Sequence, residues 1–176
     1  LSIAVKTIEQ KGHNYVVMGK YLEGNNDGSM SMKNNDYYIL SRHDASRSQY
    51  IPHHYFMLNV GVVSLDLLLQ TGGWDCQFEV CPMAYNDLAI RLQNFGSEFI
   101  VQDEIMYTCS HMPGHAGDHG PIHDAQTLKD QPLFKQIYSD PIRSKRDIID
   151  IDNWIETPDV WLRRFKKSEL KEKGLL

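Results

Sequence analysis

Asn59-Val-Gly-Val-Val-Ser-Leu-Asp-Leu-Leu-Leu-Gln-Thr-Gly-Gly-Trp-Asp75 is the stretch whose reading decides the fold. Its opening closes an apolar run over 56–63 that turns β-branched near its end, the pattern of a buried strand. Ser64 offers a hydroxyl to the open N–H groups of the next turn and so reads as an N-cap. Leu65–Thr71 then reads as a short apolar helix, which Gly72 stops because glycine enters the left-handed conformation without a Cβ penalty. Two readings of Gly72-Gly73-Trp74-Asp75 stand side by side. In one, the glycines bring backbone N–H groups close to a ligand, Trp74 packs against sugar C–H groups and Asp75 accepts from hydroxyls. In the other, the tetrapeptide is only a helix C-cap with Trp74 buried and Asp75 starting a turn.

Working outward, Pro82 suits the first turn of a second helix that ends at Gly96. Ala84, Leu88, Leu92 and Phe95 recur at the spacing of a core-facing stripe, and Asp87 and Arg91 follow one turn apart on an adjoining face, acid before base. Beside a cleft, such a carboxylate can act as general base toward a hydroxyl, with Arg91 orienting it or holding a phosphate. The plainer reading is a surface ion pair worth roughly a few tenths of a kcal/mol. Phe99-Ile-Val101 and Ile105-Met-Tyr107 read as two further strands. Upstream, the first 36 residues are polar and turn-rich, with a strand candidate at Tyr15-Val-Val-Met18, a turn at Asn25-Asn-Asp-Gly28 and a loop over 29–36. Tyr37-Tyr-Ile-Leu40 is a short strand candidate, and 41–52 is irregular. Helical patches follow Pro121, and Thr157-Pro158-Asp159 opens a last helix. Alternating strands and helices predict an α/β domain over 1–140 with a helical C-terminal extension over 141–176.

At 176 residues the chain is long enough for one domain with a real core. Its hydrophobic content of 41% and charged content of 23% are those of an ordinary soluble protein. The net charge is −5, with nine Lys/Arg against seven Asp/Glu from Pro141 onward and nine against sixteen before it, which leaves no basic footprint for nucleic acid. Arg163-Arg-Phe-Lys-Lys167 is a local basic cluster, more in keeping with a solvated helix face than with a lipid contact. No apolar run approaches the roughly 18 residues of a membrane span. The opening Leu-Ser-Ile-Ala-Val-Lys lacks the basic and apolar regions of a signal peptide, and without a Met it reads as the start of a piece. Three cysteines, Cys76, Cys81 and Cys109, are too few for a disulfide framework; they read as small buried hydrophobes in a reducing, cytoplasmic compartment.

Four of the eight histidines, His111, His115, His119 and His123, fall within thirteen residues, together with Asp118 and Asp124. Neutral imidazoles and a carboxylate on one loop suit a divalent metal, so a metal-dependent hydrolase is one reading of this segment. No His-Glu-x-x-His is present, and loop histidines serving as surface hydrogen-bonding groups are the plain alternative.

Taken in order, Asn59, Gly72-Gly73-Trp74-Asp75, Asp87-Leu88, Arg91-Leu92, Gly96 and His111 resemble the acceptor-side half of a family 2 glycosyltransferase. The likeness spans roughly 55 to 125 and implies a partial GT-A fold, a mixed sheet with flanking helices. It also implies transfer of a sugar from a nucleoside-diphosphate sugar to a glycan or other hydroxyl acceptor. By the resemblance Asp87 lies on the catalytic-base helix, while Asn59, Gly72, Gly73, Trp74, Asp75, Asn86 and Arg91 contact the acceptor. His111 would be a ligand of Mn²⁺ or Mg²⁺, with His115, Asp118 and His119 as further candidates. Two departures stand out. The family's Glu-Asp pair falls on Ala84-Tyr85, so only the later acid is kept. The nucleotide-binding half that ends in Asp-x-Asp is not found upstream; the one such triplet, Asp150-Ile-Asp152, follows His111. A non-catalytic carbohydrate-binding module therefore stands as the alternative to a transferase.

Overall fold

The computed structural model describes residues 1–24, 29–33, 37–39, 54–56, 58, 61–109, 120–149 and 167–175. The chain opens with a helix that the polar N-terminal sequence does not announce, α1 (Ser2–Lys11). Only Ala4 and Ile8, one turn apart, are buried, against Val17 of the sheet. Two apolar contacts make a weak periodic signal, and the sheet beneath supplies what propensity lacks.

The axis of the fold is β1 (Tyr15–Gly24), whose Val16, Val17 and Met18 are fully buried. β2 (Met30–Lys33) follows it, then β3 (Tyr37–Ile39), β4 (His54–Phe56) and β5 (Gly61–Val63). A long β6 (Glu98–Cys109) runs parallel to β1 from Tyr15 opposite Glu98 to Glu23 opposite Cys109. A strand has two edges, so β5 and β2 lie end to end along the other. β5 pairs antiparallel with 16–18 and β2 antiparallel with 21–24. β3 and β4 form a separate antiparallel pair. The result is a mixed arrangement of helix and strand, as the α/β reading requires.

Several expectations need correction. The run 56–63 is not one strand: β4 and β5 belong to different sheets, and Leu58 between them turns into the core. The loop over 29–36 contains β2. The two strands read at 99–101 and 105–107 are one, with its register shifted around Gly19 of β1. A Cβ on Gly19 would collide with the Met106 side chain and approach the Glu104 carbonyl oxygen to 2.9 Å, so the irregular crossing needs a glycine. Cys76 and Cys81 are exposed rather than buried. The basic cluster at 163–166 and the helix start at Thr157 lie outside the described residues.

The central helices form where they were read. α2 (Leu65–Thr71) starts on Ser64, whose Oγ accepts the Leu67 N–H at 3.2 Å, and ends on Gly72 at φ 82°. α3 (Cys81–Asn94) has Pro82 in its first turn. Val80 cannot cap it with a side chain. Instead the buried Asp130 accepts the N–H groups of Glu79 and Val80 at 2.9 and 2.8 Å. Asp130 closes a single π-helical turn (Gln126–Asp130) that joins α4 (Gly120–Ala125) to α5 (Gln131–Tyr138). A 3₁₀ turn (Arg143–Lys145) follows, and α6 (Lys167–Glu172) is the last described element.

α3 is covered on two sides. Leu88, Ala89 and Leu92 pack with Val16 and Met18 of β1, whereas Ala84 and Ile90 pack with Phe134, Ile137 and Tyr138 of α5. The amphipathic stripe read from Ala84, Leu88 and Leu92 is thus only part of a helix buried nearly all round, which leaves Asp87 and Arg91 inside. Replacing Leu88 with Ala should cost about 2–5 kcal/mol of unfolding free energy, as for other buried leucines. Urea denaturation would measure it, and a loss below about 1 kcal/mol would place Leu88 outside a close-packed core.

Candidate functional site

The pair read as a surface contact is the centre of a buried charge network. Arg91 and Asp87 are both 0% exposed, and Arg91 Nε donates to Asp87 Oδ2 at 2.8 Å. The rest of the guanidinium clamps backbone: Nη1 donates to the Thr71 carbonyl at 2.9 Å, and Nη2 makes a short bond to the Gly73 carbonyl. One side chain on α3 thereby holds the last turn of α2 and the turn that follows. The planar fork of arginine serves acceptors lying in different directions, which a lysine cannot reproduce.

A second guanidinium enters from 71 residues beyond the turn. Arg146 Nη1 donates to Asp75 Oδ2 at 2.9 Å, and Nη2 makes a short bond to Asp87 Oδ1. The Tyr138 hydroxyl donates to the same Asp87 oxygen at 2.6 Å, and Asp75 Oδ1 accepts the Gln77 N–H at 3.0 Å. Two carboxylates and two guanidiniums balance, which is the condition for carrying charge into a core. Burial works against the charge on Arg146, but Asp87, Tyr138 and Asp75 outweigh it and push the guanidinium above its ordinary range. Burial first, then the Asp87 carboxylate, pushes the Tyr138 phenol well above its usual value.

Arg146 is itself anchored. Asn94 Nδ2 donates to the carbonyls of Ser144 and Arg146 at 3.0 and 2.9 Å, and the Ile149 N–H donates to the Thr71 carbonyl at 3.1 Å. Residues 143–149, read from sequence as part of a C-terminal extension, are bonded into the body. Gly72 is needed at this crossing twice over: its backbone is left-handed, and a Cβ would run into the Ile149 carbonyl oxygen.

On the outer side of the turn lies a cleft of about 430 Å³, within the usual range of small-molecule sites. Trp74, 45% exposed, forms one wall, with Tyr85 of α3 edge-on to it at 6.0 Å and 63°. Leu1, Leu58, Val62, Met106 and Tyr107 are among the other residues that line it. Tyr107 stacks on Tyr21 at 5.2 Å, which fixes its ring. Each reading of the tetrapeptide is half realised: Gly72 is a left-handed C-cap, but Trp74 faces a cleft. Asp75, only 1% exposed, turns inward to Arg146 and Gln77 and does not line the cleft.

The structure therefore brings together Gly72, Gly73, Trp74, Asp75, Asp87 and Arg91, with Asn86 buried on the same helix. Asn59, His111, His115, Asp118 and His119 lie outside the described residues. Among the described residues no group of three or more His, Cys, Asp or Glu is placed to hold a metal ion. Nor, among them, is any helix long and apolar enough to cross a membrane. Sequence reasoning missed Tyr138, Arg146 and Tyr85. The first two have no local signal, since each meets Asp87 across more than fifty residues. Tyr85 stands where the resembling family carries an acid, and that substitution was the available clue. Comparison with known proteins adds no relative: no family profile, no curated protein and no solved structure matches this chain.

Asp87→Asn should destabilise the fold by about 3–5 kcal/mol, because it leaves two guanidiniums facing a neutral amide. A midpoint in chemical denaturation equal to wild type would place Asp87 in solvent. A second expectation concerns alkaline pH. Tyr138 loses its proton near pH 10 when unfolded and only at higher pH when folded. The folded state then holds the extra proton, so stability falls as pH rises above about 10. Tyr138→Phe should flatten this fall, leaving the smaller part due to Tyr55, whose phenol burial also raises. A slope unchanged in the variant would show that the Tyr138 hydroxyl is not in the network.

Proposed function

We propose that this chain forms the acceptor-side part of a GT-A-type glycosyltransferase, moving a sugar from a nucleoside-diphosphate sugar to an acceptor hydroxyl. The observation that carries the reading is the Arg91 clamp. It joins the Asp-Leu-x-x-Arg-Leu helix to the Gly-Gly-Trp-Asp turn, the two motifs of the resemblance, and sets Trp74 at the edge of a cleft large enough for an acceptor.

In this reading Trp74 and Tyr85 bind and orient the acceptor. Asp87 acts as a positioning residue: its carboxylate is fully buried, is held by Arg91, Arg146 and Tyr138, and does not line the cleft, so in this geometry it does not reach an acceptor proton. Asp75 is committed in the same way, to Arg146 and the Gln77 N–H. The family's divalent ion, Mn²⁺ or Mg²⁺, finds no fit among these residues, because both carboxylates beside the turn are paired with guanidiniums. A metal role would rest on His111 with His115, Asp118 and His119.

The same commitment of both acids favours a second reading, a carbohydrate-binding module that uses the exposed Trp74 without catalysis. The two readings separate cleanly. The complete reading frame that encodes this chain would be assayed with radiolabelled nucleotide sugars, Mn²⁺ and a panel of hydroxyl acceptors. The transferase reading expects sugar transfer, and Trp74→Ala should lower kcat/KM for the acceptor by roughly ten-fold or more while leaving nucleotide binding intact. Glycan binding that ignores EDTA, with no transfer from any donor, would give the protein to the second reading.

A further inference from the structure

The described lining of the cleft beside Trp74 is mostly apolar. Among the described residues that line it, Leu1 included, no side chain carries a formal charge, and the side-chain hydrogen-bonding groups are the phenols of Tyr85 and Tyr107 and the Trp74 indole N–H. A sugar ring seated against this lining would turn several hydroxyls toward mostly apolar surface, and a hydroxyl that loses water without gaining a partner is unfavourable. An apolar group meets no such penalty and gains by leaving water.

Trp74 is also held out on purpose. Its two neighbours are pinned from behind, Gly73 through its carbonyl to Arg91 and Asp75 through its carboxylate to Arg146. The backbone on either side is therefore held against the body, the indole stands 45% exposed at the surface, and its ring rests edge-on to Tyr85. A rigid aromatic wall loses little freedom on binding, which is what preorganised recognition requires. Three rings, Trp74, Tyr85 and Tyr107, surround one space, and Trp74 and Tyr85 already meet edge to face. That arrangement offers a further ring both a face and an edge, the geometries aromatic pairs prefer.

We propose that the cleft recognises an aryl group, so that the acceptor is an aryl alcohol or an aryl-bearing glycoside rather than a bare sugar. The word acceptor here rests on the transferase reading; the aryl site itself does not. The test is calorimetric titration of the complete protein, without donor, using 2-naphthol, cyclohexanol and glucose as probes. The aryl site expects 2-naphthol to bind roughly ten-fold or more tightly than either control. Trp74→Ala should remove that preference with the melting temperature unchanged, and Trp74→Phe should restore part of it. Cyclohexanol binding as tightly as 2-naphthol would overturn the aryl assignment in favour of a generic apolar site. Glucose binding more tightly, or no binding by 2-naphthol, would overturn it outright. Naphthol binding in a protein that transfers no sugar leaves the aryl site standing and removes the transferase; sugar transfer without naphthol binding does the reverse.

Discussion

The carboxylate of Asp87, held between the guanidiniums of Arg91 and Arg146 and under the hydroxyl of Tyr138, is the interaction on which the rest depends. Charges this deep are tolerated when each finds its counter-charge, as these do, although Arg146 Nε is buried without a hydrogen-bond partner. The partners arrive from far apart in the chain: the end of α2, the Gly-Gly-Trp-Asp turn, α5 and the segment after the 3₁₀ turn. A partly assembled network would leave an unpaired charge in the core, so these pieces must come together as one.

That demand explains the crowded environment of α3. The helix buries Leu88, Ala89 and Leu92 against the sheet and Ala84 and Ile90 against α5, and its remaining faces carry Asn86, Asp87 and Arg91. Polar groups placed between two apolar layers cannot reach water, so they bind backbone carbonyls and each other. The C-terminal end of α2, with its open carbonyls, is a natural partner for a guanidinium.

Framework and contact surface are thereby separated across one turn. Behind Trp74 lies balanced charge that sets the backbone path; in front lies an apolar cleft with aromatic walls. Ionisable side chains that look chemical in the sequence serve here as struts, and the described side chains that line the cleft are uncharged. Under the transferase reading, the reacting groups must come from segments other than the Asp87–Arg91 pair, while that pair decides where the acceptor sits.

By itself the sequence determined what depends on neighbours in the chain. Ser64 as N-cap, Gly72 as left-handed stop, Pro82 at a first turn and a strand at Tyr15 are local steric and hydrogen-bonding facts, and all appear in the fold. The i,i+4 relation of Asp87 and Arg91 was equally legible, because helix geometry alone sets it. The tertiary structure decided everything that turns on burial. It made a helix of the polar N-terminal residues by giving Ala4 and Ile8 a sheet to rest on. It split the run at 56–63 between two sheets and joined β6 into one strand against Gly19. Above all it turned an apparent surface ion pair into a buried one, since only the packing of α5 and the arrival of Arg146 remove the water that would otherwise have screened it.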